Sequence, residues 1–159
     1  MASVYDLKPE FRKLLHPCSI FLSSRNVTPN AITLTALGGS CIVGSLFAFP
    51  VLRHSAMLAL PVWLFVRMAL NALDGMMAQE FQMSSYAGFL FNEAGDVLSD
   101  TVLYFPLVFC APDAILAIAL FCLGSIFSEF CGVLPKASGL SRHYEGPMGK
   151  SDRAFWVGA

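Results

Sequence analysis

The sequence contains little charge. Only 13% of its 159 residues are Asp, Glu, Lys or Arg, and the formal net charge is −1. Soluble domains average about 25% charged residues, so the composition argues against a soluble globular domain. The small net charge also argues against nucleic acid as a partner, because binding to phosphate backbones needs a positive excess.

The sequence also lacks the cysteine spacing of a zinc or redox motif. It has five cysteines, and no two of them form a C-x-x-C pair. Most of them lie inside apolar runs, where cysteine behaves as a small buried apolar residue. We therefore expect neither a disulfide framework nor a zinc site.

The sequence instead contains long hydrophobic stretches. Hydrophobic residues make up 56% of the chain, and no residue from Asn26 to Leu52 is charged. A membrane-spanning helix needs about 20 apolar residues, so the pattern predicts an all-α, polytopic membrane helical bundle. The four complete spans are expected near residues 31–50, 56–78, 87–109 and 114–134. The residues from Ser151 onward predict the start of a fifth span.

Residues 1–26 predict an interfacial segment ahead of a transmembrane domain at 27–159. The apolar face of this segment is formed by Phe11, Leu14, Leu15, Cys18 and Leu22. Basic residues flank this face, which is typical of a helix lying along a membrane surface. We expect Pro17 to kink or divide the helix. A solvated helix that packs against another domain is the alternative.

The distribution of Lys and Arg predicts the orientation of the chain in the membrane. The N-terminal segment carries four of these residues, the stretch after the fourth span carries another four, and the connections between spans carry only Arg53. If the spans alternate, both basic stretches lie on one side of the membrane, and the positive-inside rule makes that side cytoplasmic. We therefore expect a multi-pass protein of the cell membrane with a cytoplasmic N-terminus.

A cluster of polar residues lies where the hydrophobic pattern predicts membrane, and carboxylates in that position usually mark a functional site. On the third span, four of these residues fall within about 100° of the helix circumference, and two on the second span share a face. Since a short turn joins the two helices, we expect the faces to oppose each other. The candidate metal ligands are Asn71, Asp74, Asn92, Glu93, Asp96 and Asp100.

Carboxylate and amide oxygens from two facing helices suit Mg²⁺ or Mn²⁺, with substrate phosphates completing the coordination shell. The alternative is a set of helix-end carboxylates in contact with headgroups and water. Glu80 falls in the turn, where we expect a solvated charge. The small residues Gly75, Ala78 and Gly88 lie nearby, and either close helix packing or access of a ligand to the backbone explains them.

These residues resemble the signature of the CDP-alcohol phosphatidyltransferases, which are integral membrane enzymes of six helices. The signature reads D-x2-D-G-x2-A-R-x8-G-x3-D-x3-D. All of its spacings are kept here, with Asn in place of the first and third Asp and Gln in place of the Arg. The matching positions are Asn71, Asp74, Gly75, Ala78, Gln79, Gly88, Asn92 and Asp96. Because the family has six helices, the resemblance implies that this chain is truncated at its C-terminus.

The resemblance also implies a function. The expected enzyme transfers a substituted phosphate group from a CDP-alcohol such as CDP-diacylglycerol to a small alcohol acceptor, with release of CMP, in phospholipid biosynthesis. Mg²⁺ or Mn²⁺ is the implied cofactor, and membrane lipids are partners. Asp96 corresponds to the general base, and Gly75, Ala78 and Gly88 correspond to nucleotide-binding positions. Lys150 and Arg153, expected in a cytoplasmic loop, either bind an acceptor phosphate or are ordinary positive-inside charges.

The three differences from the signature affect the expected catalysis. Asn71 and Asn92 lower the negative charge of the site and Gln79 removes a positive charge, whereas Glu93 and Asp100 restore two negative charges if they face the same cavity. One alternative is therefore a catalytically impaired homologue that binds a nucleotide-lipid or a partner protein. Another is an ion-coupled transporter, because buried carboxylates also serve ion relays. The acceptor alcohol, the number of metal ions and the presence of a homodimer stay open.

Overall fold

The computed structural model describes residues 8–137 together with residues 153, 154, 157 and 158, and these parts of the chain form helices and turns without strands. The all-α prediction is thereby confirmed. The main helices are α1 (Lys8–Ser24), α2 (Pro29–Leu46), α3 (Arg53–Glu80), α4 (Tyr86–Tyr104) and α5 (Ile115–Ala137). Short 3-10 turns connect them at Pro50–Leu52, Phe105–Phe109 and Pro112–Ala114.

Local capping explains where α2 and α4 begin. Thr28 precedes α2, and its hydroxyl accepts a hydrogen bond from the backbone N–H of Ala31 at 3.2 Å. Pro29 then occupies the first turn, where its missing N–H costs nothing. Ser85 caps α4 in the same way by accepting from the N–H of Gly88 at 2.9 Å. The helix start expected from the sequence Thr28-Pro29 is confirmed.

Helix α1 is continuous, so of the kink or division predicted at Pro17 the division does not occur. Leu15 and Leu22 pack against a cluster that contains Leu73 and Met77 of α3. Leu14, on the neighbouring stripe of α1, is exposed. The apolar face predicted for this segment is therefore divided between contact with α3 and the surroundings of the protein.

Two stretches are long and apolar enough to cross a membrane, Pro50–Glu80 and Pro112–Leu134. The pair Pro9–Ser24 and Pro29–Leu46 bends by 111° at its break and supplies a third candidate if it forms one span. In the described residues, the count of clear candidates is thus two or three, where the sequence predicted four complete spans. Helix α4 is not among these candidates because it carries three carboxylates, which is too much charge for a clearly apolar span.

Helix α2 packs closely against both α3 and α4, whereas α3 and α4 approach each other mainly through side chains. Glycines allow this arrangement: a Cβ atom on Gly44 would lie 2.0 Å from the carbonyl oxygen of Val102 in α4. A Cβ atom on Gly39 would collide with the ring of Trp63 in α3. Helices α3 and α4 therefore both pack on α2, and the polar faces that the sequence predicted to oppose each other meet through side chains that cross the remaining gap.

The apolar core lies where α2, α3, α4 and α5 meet. It is formed by Val43, Phe47, Ala56, Leu60, Leu64, Leu103, Tyr104 and Cys122. Ala154 and Val157, which are helical, pack against this core. The predicted helix start after Ser151 is therefore consistent with the described residues there, and those residues adjoin the polar site.

Candidate functional site

Burial of charge marks the candidate site. Among the described residues, five carboxylates and two guanidinium groups are almost fully enclosed: Asp74, Glu93, Asp96, Asp100, Glu129, Arg67 and Arg153. Unpaired charges in an apolar interior are very costly, so such groups are held by partners. If all are ionised, this set has an excess of three negative charges.

Two side chains of α3 hold Asp96 of α4. Asn71 donates from Nδ2 to Asp96 Oδ1 at 2.6 Å. Arg67, one helical turn earlier, donates from Nη2 to the same oxygen at 3.3 Å and to the Asp96 carbonyl oxygen at 3.1 Å. The first and last positions of the sequence signature, 25 residues apart, are therefore in direct contact.

Asp100 is held by two arginines. Arg67 Nη1 donates to its Oδ1, and Arg153 Nη2 donates to its Oδ2 at 3.0 Å. Arg153 also pairs with Glu129 of α5 at 2.5 Å. Charges of opposite sign thus alternate from Glu129 through Arg153, Asp100 and Arg67 to Asp96, and this set, called the buried ion chain below, links α3, α4, α5 and the helical turn at Arg153.

Asp74 faces α2. Its Oδ2 accepts a hydrogen bond from Thr33 Oγ1 at 2.9 Å. The methyl group of Thr33 lies close to Gly95 of α4, where a Cβ atom would be 3.0 Å away. Asp74 is therefore positioned where α2 passes between α3 and α4, on the same side of α3 as Asn71.

Asn92 and Glu93 lie about one turn before Asp96 on α4. Glu93 is buried. Asn92 is half-buried, and its enclosed Oδ1 atom accepts no hydrogen bond from the residues that the structure describes. A buried carbonyl oxygen without a donor costs free energy unless a ligand or ion satisfies it. Asn92 therefore suits the role of an oxygen ligand.

The small residues of the signature differ in their surroundings. A Cβ atom on Gly75 would meet no atom of the described residues within 4 Å, so close packing among those helices does not explain this glycine, and access for a ligand is the other explanation. A Cβ atom on Gly88 would lie 2.9 Å from Ser85 Oγ and 3.1 Å from Asn30 Oδ1, which is a packing reason for a small residue. Ala78 is half-buried and Gln79 is exposed.

The fit to a divalent cation differs between the two ends of the site. Asp96 and Asp100 are engaged by amide and guanidinium donors, so this end does not fit a metal ion as it stands. The other end, with Asp74, Asn92 and Glu93, supplies hard oxygen ligands, and Asn92 Oδ1 accepts no hydrogen bond within the described part of the chain. Within residues 8–137 and the four described after them, no three His, Cys, Asp or Glu side chains already converge on a metal position.

Sequence reasoning overlooked Arg67 and Glu129 as members of the site. Their signal was present, because each is an isolated charge inside an apolar span. Arg153 lies within the helix start predicted from Ser151 onward, but it was also assigned to a cytoplasmic loop, and the loop placement is wrong: it is helical, 1% exposed and paired with two carboxylates. Lys150 lies outside the described residues.

Glu80 is exposed, as predicted for a solvated charge, but it belongs to a helix and not to the turn. It ends α3 and lies 3.8 Å from Arg12 Nη2 and 3.7 Å from His16 Nε2 of α1. Its side chain keeps 33% exposure, so these contacts reach water. Glu80 connects the end of α3 with α1 through these contacts and is separate from the buried ion chain.

No protein-family model matches the chain. The chain is similar to the inner membrane protein YnbA of Escherichia coli (strain K12), with 44% identity over an alignment of 161 positions. The alignment covers 98% of this chain and 77% of that relative. At this identity the two chains share a fold, and both this likeness and the apolar helices identify the chain as a membrane protein.

Proposed function

The chain belongs to the family of the Escherichia coli inner membrane protein YnbA, and we propose that it is a membrane-embedded phosphotransferase acting on a CDP-alcohol. It would transfer the substituted phosphate group to an acceptor alcohol and release CMP. The observation that carries this proposal is the hydrogen bond of 2.6 Å between Asn71 and Asp96. It joins the two ends of a signature whose spacing is that of CDP-alcohol phosphotransferases.

The reaction breaks one bond to phosphorus and forms another. The oxygen of the acceptor hydroxyl attacks the phosphorus that carries the alcohol, the bond from this phosphorus to the CMP oxygen breaks, and the hydroxyl proton is transferred to a base. Asp96 is the proposed base. Its orientation is fixed by Asn71 and Arg67, and such positioning lowers the entropic part of the barrier.

The remaining residues of the site bind the donor. Asp74, Asn92 and Glu93 would hold Mg²⁺ or Mn²⁺, which neutralises phosphate charge in phosphoryl transfer. The open space beside Gly75 supports approach of the donor to the α3 backbone. Arg153 already pairs with Asp100 and Glu129, so it contributes to the site by holding α4 and α5 together.

The proposal includes the finer topology expected from the sequence. Helices α2, α3, α4 and α5 would each cross the membrane, and the turn at Arg153 would open a fifth span. The N-terminus would be cytoplasmic, with α1 at the interface. The carboxylates of α4 reduce its hydropathy but face other helices, which agrees with a span whose polar side is enclosed by protein.

The test is release of CMP by the protein reconstituted in lipid nanodiscs. CDP-diacylglycerol is supplied with Mg²⁺ or Mn²⁺ and with glycerol phosphate, inositol or serine in turn. We expect metal-dependent CMP release with at least one acceptor, and loss of at least about 100-fold in Asp96→Asn because general-base catalysis typically contributes 10²–10⁴-fold. No CMP from any mixture, under conditions where a family member of known activity works, would contradict the proposal.

A catalytically impaired binding protein is the second candidate. The observation that favours it is the engagement of Asp96 by Arg67 as well as Asn71, because an ion-paired carboxylate is a weaker proton acceptor. The triple variant Asn71→Asp, Asn92→Asp, Gln79→Arg restores the signature. CMP release in this variant alone would favour the binding protein, and release in the wild type would favour the enzyme.

A further inference from the structure

Position 71 carries an amide whose hydrogen-bonding direction matters. Asn71 uses its N–H, not its oxygen, toward Asp96 Oδ1 at 2.6 Å. An ionised Asp at this position could not donate, so two carboxylates would face each other at hydrogen-bonding distance. Such a pair needs a cation between its members or a shared proton. The amide removes that requirement.

Arg67 adds the positive charge. The residue is 5% exposed, and its guanidinium group contacts Asp96 through Nη2 and Asp100 through Nη1. A planar guanidinium can hold two carboxylates from one helix face at once and does not lose its proton. Arg67 thus supplies both the charge neutralisation and the geometry that a bound cation would supply at this end of the site.

We propose that Arg67 and Asn71 take the place of a metal ion at Asp96, so that Asp96 is held by protein donors and is not a metal ligand. The inference deepens the proposed function, but its test uses Mn²⁺ binding and requires no activity. It explains why Asn is tolerated where the signature has Asp. It also assigns to Arg67, which lies outside that signature, a positioning role at the proposed base.

Electron paramagnetic resonance titration with Mn²⁺ alone, on the protein in nanodiscs, tests the proposal. Asp96→Asn is nearly isosteric and keeps an oxygen for Asn71 to reach, so we expect the amount of bound Mn²⁺ and its affinity to stay within twofold of the wild type. A loss of a bound ion, or a tenfold weakening, would show that Asp96 ligates metal and would overturn the proposal.

For a second variant we predict the opposite result, a gain in Mn²⁺ binding. Asn71→Asp recreates the carboxylate pair, so it should bind one more Mn²⁺ than the wild type, or the same number at least tenfold more tightly. Asn26→Asp is the matched control, because it makes the same chemical change at an exposed turn residue. Equal Mn²⁺ binding by Asn71→Asp and the control would contradict the proposal.

The CMP assay separates this inference from the proposed function. If the wild type releases no CMP but both Mn²⁺ titrations follow the expectation, the proposed function fails and the assignment of Arg67 and Asn71 stands. If the wild type releases CMP and Asp96→Asn loses Mn²⁺, the assignment fails and the proposed function stands.

Discussion

Carboxylates meet basic side chains in two regions of this molecule, and the surroundings differ. In the buried ion chain, the Arg67 and Asp100 side chains are 6% and 5% exposed. At the junction of α1 and α3, the Arg12 and Glu80 side chains are 37% and 33% exposed and lie 3.8 Å apart. The same chemical groups therefore interact in an apolar interior in one region and beside water in the other.

The difference determines what each region does. Exposed ion pairs contribute little because water and salt screen them. In a buried pair, removing one partner leaves the other charge enclosed without compensation. The buried ion chain therefore enforces one arrangement of α3, α4 and α5, whereas the contacts of Glu80 only help to place α1.

The largest effect is expected in Asp100→Asn. This change leaves the guanidinium groups of Arg67 and Arg153 without the carboxylate that they share. We expect destabilisation of about 3–5 kcal/mol, the cost of breaking a buried pair on one side. Thermal or SDS-induced unfolding in micelles measures it.

Asp113→Asn is the matched control for this prediction, because Asp113 is exposed in the connection between α4 and α5. It should unfold like the wild type. Equal stability of Asp100→Asn and Asp113→Asn would show that water reaches the buried ion chain, and the contrast between the two regions would disappear.

The smallest effect is expected in Glu80→Gln. Loss of the contacts with Arg12 and His16 should cost less than about 1 kcal/mol. The cost should shrink further in 0.5 M salt, since screening acts on exposed charges. Unfolding curves at low and high salt check this. A cost that matches Asp100→Asn and ignores salt would mean that the junction is as enclosed as the interior.

Sequence reasoning predicted what depends on neighbouring residues. The start of α2 followed from Thr28 and Pro29, because capping involves residues a few positions apart. The grouping of Asp96 and Asp100 followed from helical periodicity. Of the kink or division predicted at Pro17, the division does not occur, because α1 continues through this residue and packs on α3.

The partners of the site could not be predicted in the same way. Periodicity shows which residues share a face of one helix but not which helix that face meets. Arg153 pairs with Glu129, which lies 24 residues earlier on another helix. The passage of α2 between α3 and α4 depends on Gly44 and the close approach of Val102, a contact that has no signature in either segment. Tertiary packing decided both.

A double-mutant cycle on Asn71 and Asp96 tests most directly whether the two ends of the signature meet. The free energy of unfolding is measured for the wild type, Asn71→Ala, Asp96→Ala and the double variant. We predict a coupling energy of about 1–2 kcal/mol, as for a hydrogen bond to a charged group between membrane helices. Asn71→Ala combined with Asp113→Ala should be additive within about 0.5 kcal/mol. A coupling between positions 71 and 96 no larger than this control would contradict the account.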